Sequence, residues 1–287
     1  NKIALINHQG LKVLKGIQLQ SPSPPIGLAY IGSFLKKHGF DYTAIDGCGA
    51  GLNKISSYND SKSIFIQGLS DEEIVSQIPN GCKILGFTCL FSHSWALVLN
   101  IARKAREKFP HTLFVLGGEH GTALPHDCLS DSPFDVIVEG EGEETFLELV
   151  SLVINSEDWT KVSGIYYKDD SGNVRRASSR KRIIGLKGIP YPDWDNWCIE
   201  SYIENNQVTG INIGRSIPIL GSRGCPYRCK FCSNEGMWTT RYIMRDPNDL
   251  VDEMGFFKKK FKLDGFSFMD LTFIVNRNKT KLFAREL

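Results

Sequence analysis

Short apolar runs alternate with amphipathic stretches along the first half of the chain. Five apolar runs have the length of buried strands, at residues 3–6, 42–45, 84–88, 113–116 and 136–138. The amphipathic stretches have the period of helices, at residues 26–38, 71–78, 94–108 and 143–153. Strands that alternate with helices are typical of a parallel sheet covered on both faces. We therefore predict an α/β fold that begins with a doubly wound, Rossmann- or flavodoxin-like sheet of five parallel strands.

The second half is organised differently. Residues 163–167 and 174–177 flank a polar turn and predict a β-hairpin, and the proline-rich residues 189–194 predict a semi-rigid linker. A strand at 217–220, a helix from Pro247 to about Lys262 and a strand at 265–269 then predict the opening of a parallel β/α barrel. We expect a first domain at 1–155, a hairpin and linker at 156–216, and an incomplete barrel at 217–287.

Composition excludes several classes of partner. The 287 residues include 34 basic and 32 acidic side chains, so the net charge of +2 does not indicate nucleic acid or an anionic membrane surface. No apolar run approaches the roughly 18 residues of a membrane span. Eight cysteines without a dense framework favour a reducing, cytoplasmic location. We expect no nucleic-acid partner and no membrane partner.

Glycines and polar residues follow the last three predicted strands of the first half. In an open parallel sheet, ligands bind outside the carboxyl ends of the strands. Gly117 and Gly118 lack Cβ atoms and would let a bulky ligand approach the backbone, while Gly140 and Gly142 would expose amides at a helix N-terminus. The alternative is that these glycines simply end strands and that the acidic side chain of Glu141 interacts favourably with the dipole of the following helix.

Three thiols lie in one short segment, Gly224-Cys-Pro-Tyr-Arg-Cys-Lys-Phe-Cys232. A structural zinc site needs four protein ligands, and no second pair of ligands follows the segment. A [4Fe-4S] cluster held by Cys225, Cys229 and Cys232 would instead leave one iron free to bind a small molecule. An iron without a protein ligand can bind and activate a small molecule. We therefore favour an iron–sulfur cluster over a structural zinc site.

This Cys-x3-Cys-x2-Cys segment, with an aromatic residue before the last cysteine, resembles the signature of the radical S-adenosylmethionine (SAM) superfamily. The resemblance implies that the exposed iron chelates SAM and that an electron from the cluster releases a 5'-deoxyadenosyl radical. It also implies SAM contacts from Phe231 and from Asp270, at the end of the second barrel strand. Leu271 replaces an acid that is common in relatives, and Trp238, Arg241 and Arg245 follow the cysteines much as in relatives.

Residues 1–155 resemble the cobalamin-binding domain found upstream of many radical SAM enzymes. The segment after the first strand reads Asn7-His8-Gln9-Gly10 and does not match Asp-x-His-x-x-Gly, so the resemblance implies cobalamin without a lower histidine ligand. His8 could still approach the cobalt from this edge or be only a polar surface group. His93 and Trp95, expected at the same edge, could pack against the corrin or block it. The implied cobalamin contacts are Thr88, Leu90, Ser92, Gly117, Gly118, Glu119, His120, Gly140, Glu141 and Gly142.

Together these resemblances imply a cobalamin-dependent radical SAM enzyme, a methyltransferase acting on an unactivated carbon or a phosphorus of a small molecule or peptide. An external electron donor such as flavodoxin or ferredoxin would reduce the cluster. The alternatives are a radical cyclase or rearranging enzyme, in which cobalamin is not a methyl donor or is absent, and a non-catalytic cobalamin- or metal-binding module. We expect this chain alone to be inactive, and we expect the basic residues of 175–182 to form a solvated face.

Overall fold

The computed structural model describes residues 1–13, 22–183, 185–208 and 213–287. In these ranges the strands are β1 (Ile3–Asn7), β2 (Gly10–Val13), β3 (Thr43–Asp46), β4 (Ile55–Ser57), β5 (Ile64–Gln67), β6 (Ile84–Thr88), β7 (Leu113–Gly117), β8 (Val136–Val138), β9 (Ile165–Lys168), β10 (Val174–Arg176), β11 (Ser216–Ile219), β12 (Ser222–Arg223), β13 (Ile243–Met244) and β14 (Gly265–Phe268). The helices are α1 (Ile26–Lys37), α2 (Asp71–Ser76), α3 (Trp95–Lys108), α4 (Glu119–Ala123), α5 (Pro125–Ser130), α6 (Glu143–Asn155), α7 (Ile199–Glu204), α8 (Asn234–Trp238), α9 (Pro247–Phe261) and α10 (Arg277–Glu286).

Seven strands form the main sheet, in the order β10-β9-β8-β7-β6-β1-β3. The five strands β3, β1, β6, β7 and β8 are parallel, which confirms the predicted doubly wound sheet. Their spatial order is that of flavodoxin-like folds, and it reverses between β1 and β6. The segments that follow β1 and β6 therefore lie where a ligand is expected.

Alternate residues of each parallel strand point into two separate apolar layers. Ile3 and Leu5 pack with α1 and α6 on one face, while Ala4 and Ile6 pack with α2 and α3 on the other. All five residues of β1 are buried. Burial on both faces explains why these strands read as continuous apolar runs and not as alternating ones.

The predicted hairpin belongs to the main sheet. β9 and β10 pair with each other antiparallel, and β9 also pairs antiparallel with β8. The Asp169 carboxylate closes the turn by accepting hydrogen bonds from the amides of Ser171 (3.1 Å) and Asn173 (2.8 Å). The hairpin, which the sequence places in a connecting segment, therefore extends the first sheet at its β8 edge.

A small antiparallel sheet, in the order β2-β5-β4, was not predicted. Its strands are three or four residues long, and all three residues of β4 are exposed. Strands of this length are shorter than the runs of apolar or alternating residues that sequence patterns detect.

The proline-rich linker is packed and not solvated. Trp194 is 1% exposed, and Asp193 accepts a hydrogen bond from Tyr42 (2.8 Å) and pairs with Lys36 (2.8 Å). Trp194 also belongs to the apolar cluster that contains Leu28 of α1 and buried residues of α9. The first unit (residues 1–155) and the second unit (residues 217–287) therefore share this apolar cluster.

The second unit begins as the sequence predicts. β11 and β14 are parallel neighbours, and α9 lies between them in the chain. Asp246 caps α9 by accepting a hydrogen bond from the amide of Asn248 (3.0 Å), with Pro247 in the first helical turn. The segment between β11 and α9 carries the three cysteines. Across the described ranges, none of the helices combines the length and apolarity needed to span a bilayer.

Candidate cofactor site

A cavity of about 430 Å³ lies at the carboxyl edge of the main sheet. The turns after β1, β6, β7 and β8 form one wall together with the start of α1. The second unit forms the opposite wall through residues on both sides of the cysteines, namely Leu220, Arg223, Gly224, Trp238, Met269 and Asp270. A group bound in this cavity would contact both units.

The ends of β6 and β7 bring four predicted cobalamin contacts to the cavity, Thr88, Leu90, Gly117 and Gly118, and Glu119 lies beside them. Gly118 has φ = +97°, and a Cβ there would lie 2.5 Å from the carbonyl oxygen of Cys89. A Cβ on Gly117 would meet nothing closer than 3.9 Å. Gly118 is therefore required by the backbone, whereas Gly117 leaves free space that a ligand can fill.

Two predicted contacts, Ser92 and His120, do not line the cavity. The hydroxyl of Ser92 hydrogen-bonds to Nδ1 of His120 at 3.0 Å, and the His120 ring packs against Trp95 at 5.1 Å. Burial lowers the pKa of His120, because the charged imidazole would lose water. His120 is buried and Ser92 is exposed, so only the histidine is enclosed by the protein.

Histidines reach the cavity from two other positions. His8, after β1, lines it, and its Nδ1 hydrogen-bonds to the carbonyl oxygen of Gln9. His93 also lines it and stacks on Phe91 with 5.5 Å between ring centroids. Trp95, which was expected at the same edge, packs behind the wall.

The turn before α6 lines the cavity through Gly140, Glu141 and Gly142, as expected. The Gly140 amide is already bonded to Oγ1 of Thr122 at 3.1 Å. The Glu141 carboxylate is fully engaged: Oε1 accepts from Arg223, and Oε2 accepts from Arg182 and the Ile183 amide at 3.2 and 3.1 Å. The Gly140 amide and the Glu141 carboxylate are therefore already bonded to other groups of the protein.

Arg223 has the central place in these contacts, and the sequence predicts no role for it. It is 7% exposed, and its guanidinium donates to Glu143 and to Glu141. The rings of Tyr30 and Trp238 lie 5.6 and 5.8 Å from its guanidinium carbon. Arg223 and Glu143 are 80 residues apart, so no local pattern identifies the pair.

The basic stretch at 175–182 is also paired with the first unit. Arg176 binds Glu139 at 2.9 Å, Arg180 binds Glu148, and Arg182 binds Glu141. The expectation of a solvated face was wrong for Arg180 and Arg182, whose side chains are 23% and 13% exposed and face acids on α6 and on the turn before it. Arg176 is 49% exposed and remains solvated.

The three loop cysteines differ from the other five. Cys229 and Cys232 are exposed and Cys225 is half-buried. Burial raises the pKa of the other thiols, to about 12 for two of them and about 11 for three: Cys48, Cys89, Cys82, Cys128 and Cys198. Since the thiolate is the metal ligand, only the loop thiols are suited to hold a cluster.

The donor type and exposure of the loop thiols fit an iron–sulfur cluster. Within the ranges that the structure describes, no three His, Cys, Asp or Glu side chains are already arranged to hold a metal ion. The amide of Cys232 donates to the carbonyl of Cys229 at 3.0 Å, and Asn234 donates to the carbonyl of Cys225 at 3.3 Å. These two hydrogen bonds connect the backbone carbonyls of Cys225 and Cys229 to later residues of the same loop.

The two predicted SAM contacts occupy different environments. The Phe231 side chain is 93% exposed beside the cysteines. Asp270 lines the cavity and accepts hydrogen bonds from the Gly221 amide (3.1 Å) and the Ser222 hydroxyl. Burial raises the pKa of Asp270. Of the residues that follow the cysteines, Trp238 lines the cavity, whereas Arg245 is bound to Glu253 and Asp249.

The chain is similar in sequence to known proteins, both in its first domain and beyond it. A family model of the B12-binding domain matches residues 16–150. The anaerobic magnesium-protoporphyrin IX monomethyl ester cyclase of Rubrivivax gelatinosus is 31% identical over 276 residues, which cover 95% of this chain and 46% of the cyclase. The cytidylyl-2-hydroxyethylphosphonate methyltransferase of Streptomyces wedmorensis is 26% identical over 272 residues, which cover 86% of this chain and 50% of that enzyme.

A solved structure has the same fold. The radical SAM methyltransferase TsrM from Kitasatospora setae, solved with cobalamin and a [4Fe-4S] cluster bound, superposes with a TM-score of 0.68 at 18% identity over 99% of this chain and 52% of TsrM. The fold and the cavity define a cobalamin-binding domain joined to the start of a radical SAM barrel. The chain is similar in sequence to radical SAM enzymes that carry such a domain, and its residues 16–150 match the domain itself. It spans about half the length of these relatives.

Proposed function

We propose that the protein is a cobalamin-dependent radical SAM enzyme that transfers a methyl group to an unactivated carbon or a phosphorus. The observation that carries this proposal is the shared cavity. Thr88 and Gly117 of the first unit and Arg223 and Trp238 of the second line it together, so one ligand would contact the cobalamin-type domain and the cysteine-bearing unit at once.

The chain offers distinct residues for each cofactor. Cys225, Cys229 and Cys232 would hold the cluster, and Phe231 and Asp270 would bind SAM. Cobalamin would lie against Thr88, Leu90, Gly117 and Gly118, without a lower histidine because the motif after β1 is absent. When bound, the cluster and SAM supply a 5'-deoxyadenosyl radical, and cobalamin supplies a methyl group.

Anaerobic purification and reconstitution of the full-length protein test the proposal. We expect iron, sulfide and corrin in the wild type, and loss of iron and sulfide with retention of corrin when all three loop cysteines become alanine. Cys128→Ala, a buried cysteine away from the loop, is the matched control and retains both cofactors. Unchanged iron in the triple variant would remove the basis of the proposal.

A radical cyclase is the second candidate, favoured by the 31% identity to the magnesium-protoporphyrin cyclase. Products of SAM distinguish the two reactions. Methyl transfer consumes SAM as methyl donor and gives S-adenosylhomocysteine together with 5'-deoxyadenosine, whereas cyclisation gives no S-adenosylhomocysteine. Corrin or zinc without a cluster would instead indicate a non-catalytic binding module.

The partners proposed for this enzyme follow from its chemistry. A small-molecule or peptide substrate would enter from the second unit, and an external donor such as flavodoxin or ferredoxin would reduce the cluster. An oxygen-sensitive cluster is suited to a reducing cytoplasm. Cluster reduction by purified flavodoxin, followed by electron paramagnetic resonance, tests the donor.

A further inference from the structure

The cysteine loop, residues 224–242 between β12 and β13, is held at both ends by one carboxylate of the first unit. Before the cysteines, Arg223 donates to Oε1 of Glu141 at 3.2 Å. After the cysteines, Arg182 connects Oε2 of Glu141 (3.2 Å) to the carbonyl oxygens of Trp238 and Arg241. Glu141 therefore fixes the entry to the loop directly and the exit from the loop through Arg182.

The entry to the loop is also shaped to fit these contacts. Gly224 has φ = +83°, and a Cβ there would lie 2.3 Å from the carbonyl oxygen of Arg241 and 3.2 Å from the Arg182 guanidinium. The two ends of the loop thus meet beside Arg182. The indole of Trp238 lies 5.5 Å from the Arg182 guanidinium carbon and shields the ionic groups.

The same groups face the cofactor cavity. Glu141, Arg223 and Trp238 all line it. The side chains of Glu141 and Arg223 are only 5% and 6% exposed, so their attraction is little screened by solvent. A ligand that fills the cavity would press on the ionic groups that hold the cysteines.

We propose that Glu141, Arg182 and Arg223 form a clamp that positions the cysteine loop and couples cobalamin binding to cluster assembly. These are positioning residues, and their role rests on the proposed function above. The turn before α6, which resembles a cobalamin contact in sequence, serves through Glu141 as the anchor of the cluster loop. Because binding linkage is reciprocal, the cluster should change cobalamin affinity by the same factor as cobalamin changes cluster affinity.

Two conservative variants test the clamp in the full-length protein. Glu141→Gln keeps the shape but removes the charge, and Arg182→Lys keeps the charge but cannot bridge the carboxylate and two carbonyls. Glu139→Gln is the matched control, since it removes a neighbouring ion pair with Arg176 that does not reach the loop. Thermal unfolding of each variant monitors general loss of stability.

The first measurement is the affinity for hydroxocobalamin before and after cluster reconstitution. We expect the two affinities to differ by about five-fold or more in the wild type and in Glu139→Gln, as is usual for coupled sites. In Glu141→Gln and Arg182→Lys the ratio should fall to within about two-fold. A merely structural role would weaken both affinities alike and leave the ratio unchanged, and that result would overturn the proposal.

The second measurement needs no cofactor. Hydrogen exchange of the amides of residues 224–242 should be about ten-fold faster in Glu141→Gln than in Glu139→Gln, because the loop opens locally when its anchor is lost. Equal exchange overturns the clamp. A wild type that binds both cofactors without coupling overturns this inference alone, whereas a wild type that binds neither overturns the proposed function and the coupling with it.

Discussion

The wall that the first sheet gives to the cavity includes two adjacent glycines after β7, whereas the wall from the second unit includes the paired guanidinium of Arg223 and the indole ring of Trp238. Gly117 and Gly118 shape the first wall because they have no Cβ atom. Arg223 shapes the second wall because its ion pairs with Glu141 and Glu143 fix the position of its side chain. Steric contacts therefore limit substitutions on one side of the cavity, and ion pairs between residues about 80 positions apart in the sequence limit them on the other.

Breaking the charged wall should have the largest effect on stability. Arg223→Met would leave the buried carboxylate of Glu143 without its partner, so we expect the free energy of unfolding to fall by about 3–5 kcal/mol. Urea denaturation measures the loss. Arg176→Met breaks an exposed pair from the nearby basic stretch and should cost less than about 1 kcal/mol. Equal losses in the two variants would show that burial does not distinguish the pairs.

The glycine wall should respond to a single methyl group. Gly118→Ala forces a side chain onto φ = +97° and places its Cβ 2.5 Å from the Cys89 carbonyl, so backbone atoms must move. We expect a loss of about 1–3 kcal/mol in the free energy of unfolding. A variant as stable as the wild type would mean that the turn after β7 adopts another conformation.

Gly117→Ala sharpens the comparison, because it changes the same wall without strain. Its Cβ would enter open space beside the cavity, so we expect stability to change by no more than about 0.5 kcal/mol. Hydroxocobalamin affinity should nevertheless fall about ten-fold, equivalent to about 1.4 kcal/mol, because the methyl group takes space from the ligand. Unchanged affinity in a spectroscopic titration would place the corrin elsewhere.

The smallest effect is expected from a carboxyl group of the charged wall as pH changes. Burial raises the pKa of Asp270, so the folded protein holds this proton to a higher pH than the unfolded chain does. Its stabilising contribution is complete below the unfolded pKa of about 3.9 and is lost as pH rises through the folded pKa. The Asp270→Asn variant has no titrating carboxyl group at this position, so it does not show this loss of stability with rising pH.

Unfolding of the wild type and Asp270→Asn should therefore be compared at several pH values. The stability of the wild type relative to the variant should decrease from about pH 4 upward and then level off. A difference that increases with pH would mean that the ionised carboxylate is the favoured form.

The sequence predicts the elements whose signals are local. The five parallel strands appear as apolar runs because both faces of the sheet are buried, and Asp246 with Pro247 marks the start of α9. The three cysteines predict an iron–sulfur site because all of them lie within eight residues of one loop. Each of these features can be read in a short window.

Other features depend on partners far along the chain. Glu141 is placed at the cavity by its turn, but its partners come from later parts of the chain, Arg182 from the segment after the hairpin and Arg223 from the second unit. Trp194 reads as part of a linker because of its proline neighbours, and it is buried because α1 and α9 meet around it. A pattern of neighbouring residues carries no information about such contacts.

The burial of Trp194 has a consequence for how the molecule can be divided. Trp194 and Trp197 fill the seam between α1, α6 and α9, so the cobalamin-type domain has no finished surface on that side. A fragment that ends at residue 155 would expose this apolar surface to water and would be prone to self-association. The two halves should therefore melt together, as a single cooperative transition.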